Sequence, residues 1–324
     1  MKQLRYFEAL AQHRHFGRAA EACAISQPAL SLQVKELEEI LGAPLVERGT
    51  RQIRLTGLGE TFAARARAIL RAVEELGELA RASHRPFTGR LRLGVIPTVA
   101  PYLLPAVING LAGAYPGLDL QPRESTTQRL VGELMNGRLD AAILALPVSE
   151  PALAEVPLFD EEFFLVRPQA DADQPVPSAE TLHDMRLLLL EEGHCFRDQA
   201  IAFCKISVSP SRDMIEGNSL STLVQMVGAG IGVTLIPEMA VPVETRSAPV
   251  SVAHFPEPQP ARTIGMVWRR TSPLARPLME IAETVRAAAE AGVRVGAGAN
   301  PRATAAPAPG ASDHRAALAG DRRE

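Results

Sequence analysis

The run SQPALSLQVKELEEILG, Ser26 to Gly42, constrains the fold more than any other stretch of this chain. Ser26 suits a helix N-cap, Pro28 the first turn and Gly42 a left-handed stop, so both ends of one helix are specified. Two shorter helical pieces precede it. Leu4, Phe7, Leu10 and Ala11 line one apolar face of the first, and Phe16 introduces the second, GRAAEACAI. Helices joined by a tight turn, with polar residues at the N-terminus of the third, form a helix-turn-helix. LVER and QIRL then flank Gly49 and Thr50 as the strands of a small wing. One long helix follows from Gly57 to about His84. Leu58, Phe62, Ala66, Ile69, Val73, Leu76 and Ala80 form its apolar seam in three- and four-residue steps. A seam that long with no evident cover points to packing against another helix, often in a dimer.

SHRPFTG, with Pro86 and Gly89, reads as a hinge. Beyond it, apolar strand-like runs alternate with helical ones: RLRLGVI, LDLQPRE, AAILAL, EEFFLVRP, RLLLLEE, GVTLIP and RTIGMVW. That alternation predicts an α/β architecture with largely parallel strands. From residue 295 the chain is rich in Ala, Pro, Gly and Arg, and is expected to be a disordered tail.

Bulk properties exclude some classes. With 324 residues there is material for two or three domains. A net charge of -3 excludes a polycation, so any nucleic-acid site is local. The first twenty residues are too charged for a signal peptide, and no apolar run is long enough to span a membrane. The expected compartment is the cytoplasm, where thiols stay reduced, so Cys23, Cys195 and Cys204 imply no permanent disulfide. His194, Cys195 and Cys204 lack the paired short spacings of a structural zinc site, so no metal and no cofactor are expected.

Residues 1–58 hold eight Lys/Arg and six Asp/Glu. Arg48, Arg51 and Arg54 cluster in the wing, and Arg14 and Arg18 sit at the start of the second helix. Ser26, Gln27, Pro28, Ser31, Gln33 and Lys35 occupy the start and exposed side of the third. A recognition helix needs polar side chains in its first turns to reach base edges, with cations and hydroxyls around it for phosphates. A solvated helical domain with scattered charges is the plain alternative.

The spacing from Phe7 to Ala20, followed by Ser26 through Arg48 (S-Q-P-A-L-S-x-Q-V-K-x-L-E-x-x-L-G-x-x-L-x-E-R), resembles the LysR-type transcriptional regulators, with the architecture matching from Met1 to about Glu290. The resemblance implies an N-terminal all-α winged helix-turn-helix with a linker helix, and a C-terminal α/β effector domain of two periplasmic-binding-protein-like lobes. The expected division is residues 1–58 for DNA binding, 59–84 for the linker helix, 85–89 for the hinge and 90–294 for regulation. The first lobe takes about 90–162 and 264–294, and the second about 163–263. Implied partners are inverted-repeat promoter DNA, further copies in a homodimer or homotetramer, and RNA polymerase, with no membrane.

GVIPTVAPYLLP (94–105), EEGHCFRDQAIAFC (191–204), SLSTLVQMVGAGIGVTLIPEMAV (219–241) and ARTIGMVWRR (261–270) resemble the peroxide-sensing OxyR branch of that family. The resemblance implies hydrogen peroxide as the signal, Cys195 as the oxidised thiol and Cys204 as its resolving partner. Thr98, Thr127, His194, Asp198 and Arg262 would form the peroxide pocket. Plain structural roles stand beside these: Thr98 and Thr127 could cap helices, and Arg262 could pair with a surface acid. The chemistry is coherent. A helix N-terminus and the neighbours His194 and Arg197 favour a thiolate at Cys195, and peroxide converts a thiolate to sulfenic acid. In a helix, nine residues put Cys195 and Cys204 on opposite faces, about 13 Å apart, whereas a disulfide needs Cα atoms within roughly 7 Å. Bonding therefore requires local refolding.

Two other functions fit parts of the sequence. One is a LysR-type regulator reading a small metabolite in the inter-lobe cleft. The other is a thiol peroxidase using Cys195 as nucleophile, against which the DNA-binding segment argues.

Overall fold

The structure is a computed structural model that describes residues 1–47, 53–82, 89–182, 185–204 and 215–297. The N-terminal part is α1 (Lys2–His13), α2 (Phe16–Ala22), α3 (Gln27–Leu41), β1 (Val46–Glu47), β2 (Arg54–Leu55) and α4 (Gly57–Ala82). The helix ends fall where the local chemistry places them. Arg14 ends α1 in the left-handed region rather than starting α2. His15 caps α2 by accepting from the Arg18 amide. Ser26 caps α3 through the Ala29 amide, and Gly42 ends it at φ 67°.

Phe7, Leu10, Ala19, Leu30, Val34, Leu37 and Leu45 close one core. Phe62 joins it edge-on to Phe7, with ring centroids 5.6 Å apart. Cys23 stands at the C-cap of α2, partly buried against this core. The wing is an antiparallel pair in which Val46 faces Leu55 and Glu47 faces Arg54. Glu38 on α3 is buried, and one of its carboxylate oxygens accepts from the amides of both Leu45 and Val46. Along α4, Ala63 and Ala66 are buried while Leu58, Ile69, Val73 and Leu76 remain exposed.

The C-terminal part contains β3 (Gly89–Val95), α5 (Ala100–Ala114), β4 (Leu118–Glu124), α6 (Thr127–Met135), β5 (Ala141–Leu146) and β6 (Leu153–Pro168). It continues with α7 (Ala179–Leu182), β7 (Leu188–Leu190), α8 (Cys195–Phe203), β8 (Ile215–Gly217), α9 (Leu220–Gly228) and β9 (Thr234–Pro237). The last elements are α10 (Val241–Glu244), β10 (Val250–Ala253), β11 (Ala261–Arg269) and α11 (Ala275–Ala297). Two separate cores make two lobes. The first is built on β3, β5 and β11 with α5, α6 and α11, and the second on the later half of β6 with β7, β9, α8 and α9.

The expectation of largely parallel strands needs correction. β3 is parallel to β4 and β5, and β7 to β8. β11 runs antiparallel to β5 and β6, and β9 and β10 run antiparallel to β6. The reason is the two-lobed path. β6 leaves the first lobe and enters the second as one 16-residue strand, and β11 brings the chain back alongside it in the opposite sense. The register shifts between Ile264 and Gly265, where a Cβ would meet Leu146 side-chain atoms at 2.3 Å, so this position demands glycine. α11 reaches Ala297, past the expected start of the tail, and residues 298–324 lie outside the described residues. So do residues 83–88, which hold most of the expected hinge. Among the described residues no helix is long and apolar enough to cross a membrane.

Candidate functional site

The two thiols mark the ends of α8. Gly193 turns the chain at φ 95°, His194 is the N-cap, Cys195 opens the helix and Cys204 is its C-cap. Cys195 is partly exposed and packs against the first-lobe core. Cys204 is fully buried in the second-lobe core. Phe196, the next residue after Cys195, also belongs to the second lobe and packs edge-on against Phe163 at 4.9 Å. The start of α8 is thus wedged between the lobes. Burial pushes the Cys204 thiol up to about 11.

Four of the five expected pocket residues come from three other places in the chain or from the cap itself. Thr98 lies in the turn before α5 but does not cap it, because Val99 holds that position. Its side chain is buried, and its Oγ1 accepts from Nη1 of Arg262 at 2.9 Å. Arg262 pairs with no surface acid. It is 1% exposed and lies 2.7 Å from Oε2 of Glu161, itself 2% exposed. The Arg262 guanidinium carbon sits 5.2 Å from the centroid of the Phe196 ring.

Thr127 follows the N-cap Thr126, and its buried Oγ1 has no partner among the described residues. A Cβ on Gly193 would lie 3.7 Å from Cγ2 of Thr126, so the start of α6 adjoins the turn that leads into α8. Burial lowers the pKa of His194, against the raising pull of Glu191 and Glu124, and favours the neutral ring. Its Nδ1 is buried with no partner among the described residues.

Two sequence neighbours do not face the thiol as expected. Arg197 is buried and gives its Nη1 to the Leu190 carbonyl at 2.9 Å and to Glu216 at 2.6 Å. Its charge is directed into β8 rather than toward Cys195. Asp198 is exposed on the first turn of α8, where its negative charge suits the helix end. It makes no hydrogen bond to Cys195 or His194 among the described residues.

Two groups at this site escaped sequence reasoning. Gln199 lies four residues after Cys195, on the same helix face, and its Oε1 is buried without a partner among the described residues. The i, i+4 spacing could have found it. Glu161 could be found only through the pairing of β6 with β11, which sets it opposite Arg262. Among the described residues no group of three or more His, Cys, Asp or Glu side chains comes together as a metal would need.

On the helix-turn-helix, Ser26, Gln27, Pro28, Ser31 and Lys35 are exposed on one side of α3, opposite buried Leu30, Val34 and Leu37. Gln33 is half-buried and donates to Glu36 at 2.7 Å. Lys35 is 3.6 Å from Glu39. Arg18 and Arg54 are exposed, and Arg14 is held by Glu60 at 2.7 Å. Arg48 and Arg51 lie outside the described residues.

Comparison with known proteins gives two family matches. Residues 1–60 match the bacterial regulatory helix-turn-helix protein, lysR family, and residues 84–290 match the LysR substrate binding domain. The chain is 46% identical over 293 residues to a probable hydrogen peroxide-inducible genes activator of Streptomyces viridosporus, covering 89% of this chain and 94% of that protein. It is 43% identical over 291 residues to the DNA-binding transcriptional dual regulator OxyR of Escherichia coli, covering 89% and 95%. Its fold is similar to full-length OxyR of Pseudomonas aeruginosa carrying a cysteine-to-aspartate substitution. That match has a TM-score of 0.71 and 39% identity, and covers 88% of this chain and 94% of the other. It is also similar to a hydrogen-peroxide-bound, cysteine-to-serine OxyR of Corynebacterium glutamicum, with a TM-score of 0.64, 36% identity and coverage of 91% and 94%.

Proposed function

This chain belongs to the LysR family, in its OxyR branch, and from that premise we propose that it is a cytoplasmic transcription regulator that reads hydrogen peroxide through Cys195 and Cys204. The observation that carries the reading is the contrast along α8. One thiol stands at a helix start between two lobes, near buried polar atoms that lack partners among the described residues, and the other is sealed in a core one helix-length away. Unpaired buried polar atoms are costly unless something visits them, and a small molecule that both donates and accepts hydrogen bonds suits Thr127, His194 and Gln199.

The chemistry balances. The Cys195 sulfur attacks one peroxide oxygen, the O–O bond breaks and an S–O bond forms. The sulfur is oxidised, and the departing oxygen leaves as water with the thiol's proton. The Cys204 sulfur then attacks the sulfenic sulfur. An S–S bond forms, and the hydroxyl leaves as water with the Cys204 proton. The second step requires α8 to come apart, because a helix of this length holds its ends about 13 Å apart. A wedge between two lobes that must unfold is a two-state element of the kind a switch needs.

The output is DNA binding. The exposed side of α3, with Arg18 and Arg54 beside it, offers hydroxyl, amide and cationic groups to a major groove and its phosphates. The exposed apolar stripe on α4 suits a second copy, giving a homodimer that reads an inverted repeat and further pairs into a tetramer. A carboxylate metabolite is less well served by the inter-lobe cleft, since the buried Arg262 is already neutralised by Glu161.

Mass spectrometry after substoichiometric peroxide should find a Cys195–Cys204 disulfide. Footprints of the reduced and oxidised protein on its own upstream DNA should differ, and Cys195→Ser should abolish the difference. Both thiols surviving micromolar peroxide would remove sensing from this account.

A further inference from the structure

Glu161 lies behind Arg262, and its carboxylate ties that guanidinium to the backbone at Met239. It stands directly across from Arg262 in the β6–β11 pairing, so the register of the sheet fixes the encounter. Its Oε2 takes Nε of Arg262 at 2.8 Å and Nη2 at 2.7 Å. Its Oε1 takes the amide of Met239, just after β9, at 3.1 Å. Both oxygens are therefore engaged and the guanidinium is held in one orientation.

That orientation dictates what Thr98 can do. Arg262 donates from Nη1 to Thr98 Oγ1 at 2.9 Å and from Nη2 to the Thr98 carbonyl at 3.2 Å. A hydroxyl that accepts from a cation keeps its own hydrogen to give away. Thr98 is buried, and its hydroxyl hydrogen has no acceptor among the described residues. Arg262 has five N–H groups; three of them make these hydrogen bonds, and its Nη2 also stands in ion-pair contact with Glu161. The guanidinium also faces Phe196, the residue after Cys195.

We propose that Glu161 is a positioning residue for the oxidation of Cys195: it fixes Arg262, and through it aims the Thr98 hydroxyl as a one-way donor toward the oxygen that departs when the thiolate attacks peroxide. This rests on the peroxide-sensing reading above. The departing oxygen gains negative charge as the O–O bond breaks, and a donor fixed in advance stabilises that charge without having to reorient. Glu161 touches no reacting atom. Removing its charge leaves Arg262 free to turn, and the Thr98 hydroxyl then donates or accepts with no preference.

The test measures two reactions of Cys195 in the full-length reduced protein: oxidation by peroxide and alkylation by iodoacetamide. Alkylation needs the same thiolate but has no departing peroxide oxygen. Glu161→Gln should slow oxidation about tenfold or more while changing alkylation by about twofold or less. Thr98→Val should give a similar loss, and the double variant should lose little more than either alone, because the two act in one chain of contacts. A role confined to holding the lobes together would slow both reactions alike, or add to the Thr98→Val loss, and either result overturns the proposal. If Glu161→Gln does not fold, Glu161→Asp, which keeps the charge and shortens its reach, is held to the same criteria. Should wild-type Cys195 ignore peroxide, the sensing reading fails. A responsive wild type with an equally responsive variant overturns this inference alone.

Discussion

Cys195 and Cys204 stand at the two ends of one helix, and their surroundings differ in almost every respect. Cys195 lies at a positive helix end, partly open, against the first lobe. Cys204 lies at the opposite end, fully buried among second-lobe hydrophobes that push its ionisation up to about 11. On the proposed reading, the difference sets an order of events. At neutral pH a thiol with that pKa is thiolate for only about one molecule in ten thousand, so Cys204 cannot compete for oxidant. In the proposed mechanism it becomes a nucleophile only after leaving its core. The first thiol is placed for access and the second for delay.

The broadest test of this contrast is to remove each thiol. Cys195→Ser should lose all peroxide response. Cys204→Ser should still react and stop at a sulfenic acid that dimedone traps and mass spectrometry detects. If Cys204 alone is oxidised as fast as Cys195, the assignment is reversed.

Next in size is the anchor between the two sites. Phe196 is 3% exposed and packs on Phe163, so Phe196→Ala should lower stability by about 3–5 kcal/mol in urea titration. A loss under about 1 kcal/mol would mean the helix start is not wedged between the lobes.

A smaller effect follows from the raised Cys204 pKa. Folding favours the neutral thiol, so its contribution is fully present below the unfolded pKa of about 9 and fades as pH rises through about 11. The reduced protein should lose about 2 kcal/mol over that window, and Cys204→Ser, which does not titrate there, should flatten the change. An equal slope in both proteins would place Cys204 in a wetter site than the structure shows.

The smallest effect concerns the tether that holds α8 to β8. Glu216 is 37% exposed, and its pair with Arg197 is worth no more than about 1 kcal/mol. Glu216→Gln should speed disulfide closure by at most about fivefold in rapid-quench experiments and leave sulfenic acid formation unchanged. Faster sulfenic acid formation would show that Arg197 acts on Cys195 after all.

What the sequence disclosed followed the range of its signals. Ser26, Pro28 and Gly42 marked α3 because a cap is a local event. The opposite faces of Cys195 and Cys204 followed from helical period alone, and the two cores confirm that separation. Contacts between distant segments were hidden. Arg262 and Glu161 are 101 residues apart and meet through strand register. The start of β6 at Leu153 and the short strands β8 and β10 were missed, since three or four residues carry little periodicity. Arg197 and Asp198 misled in the other direction. Adjacency along the chain suggested contact with the thiol, but successive helix positions point about 100° apart, and these two side chains turn to β8 and to solvent.

Glu38 has a consequence at the other end of the molecule. Its buried carboxylate binds α3 to the first strand of the wing through two amides, so helix and strand form one stiff part. Contacts between arginines and phosphates weaken as salt rises, because counterions compete for the phosphates. A hydrogen bond shut away from solvent is screened far less. Raising ionic strength should therefore loosen this protein's grip on DNA while leaving the shape of the gripping surface as it was.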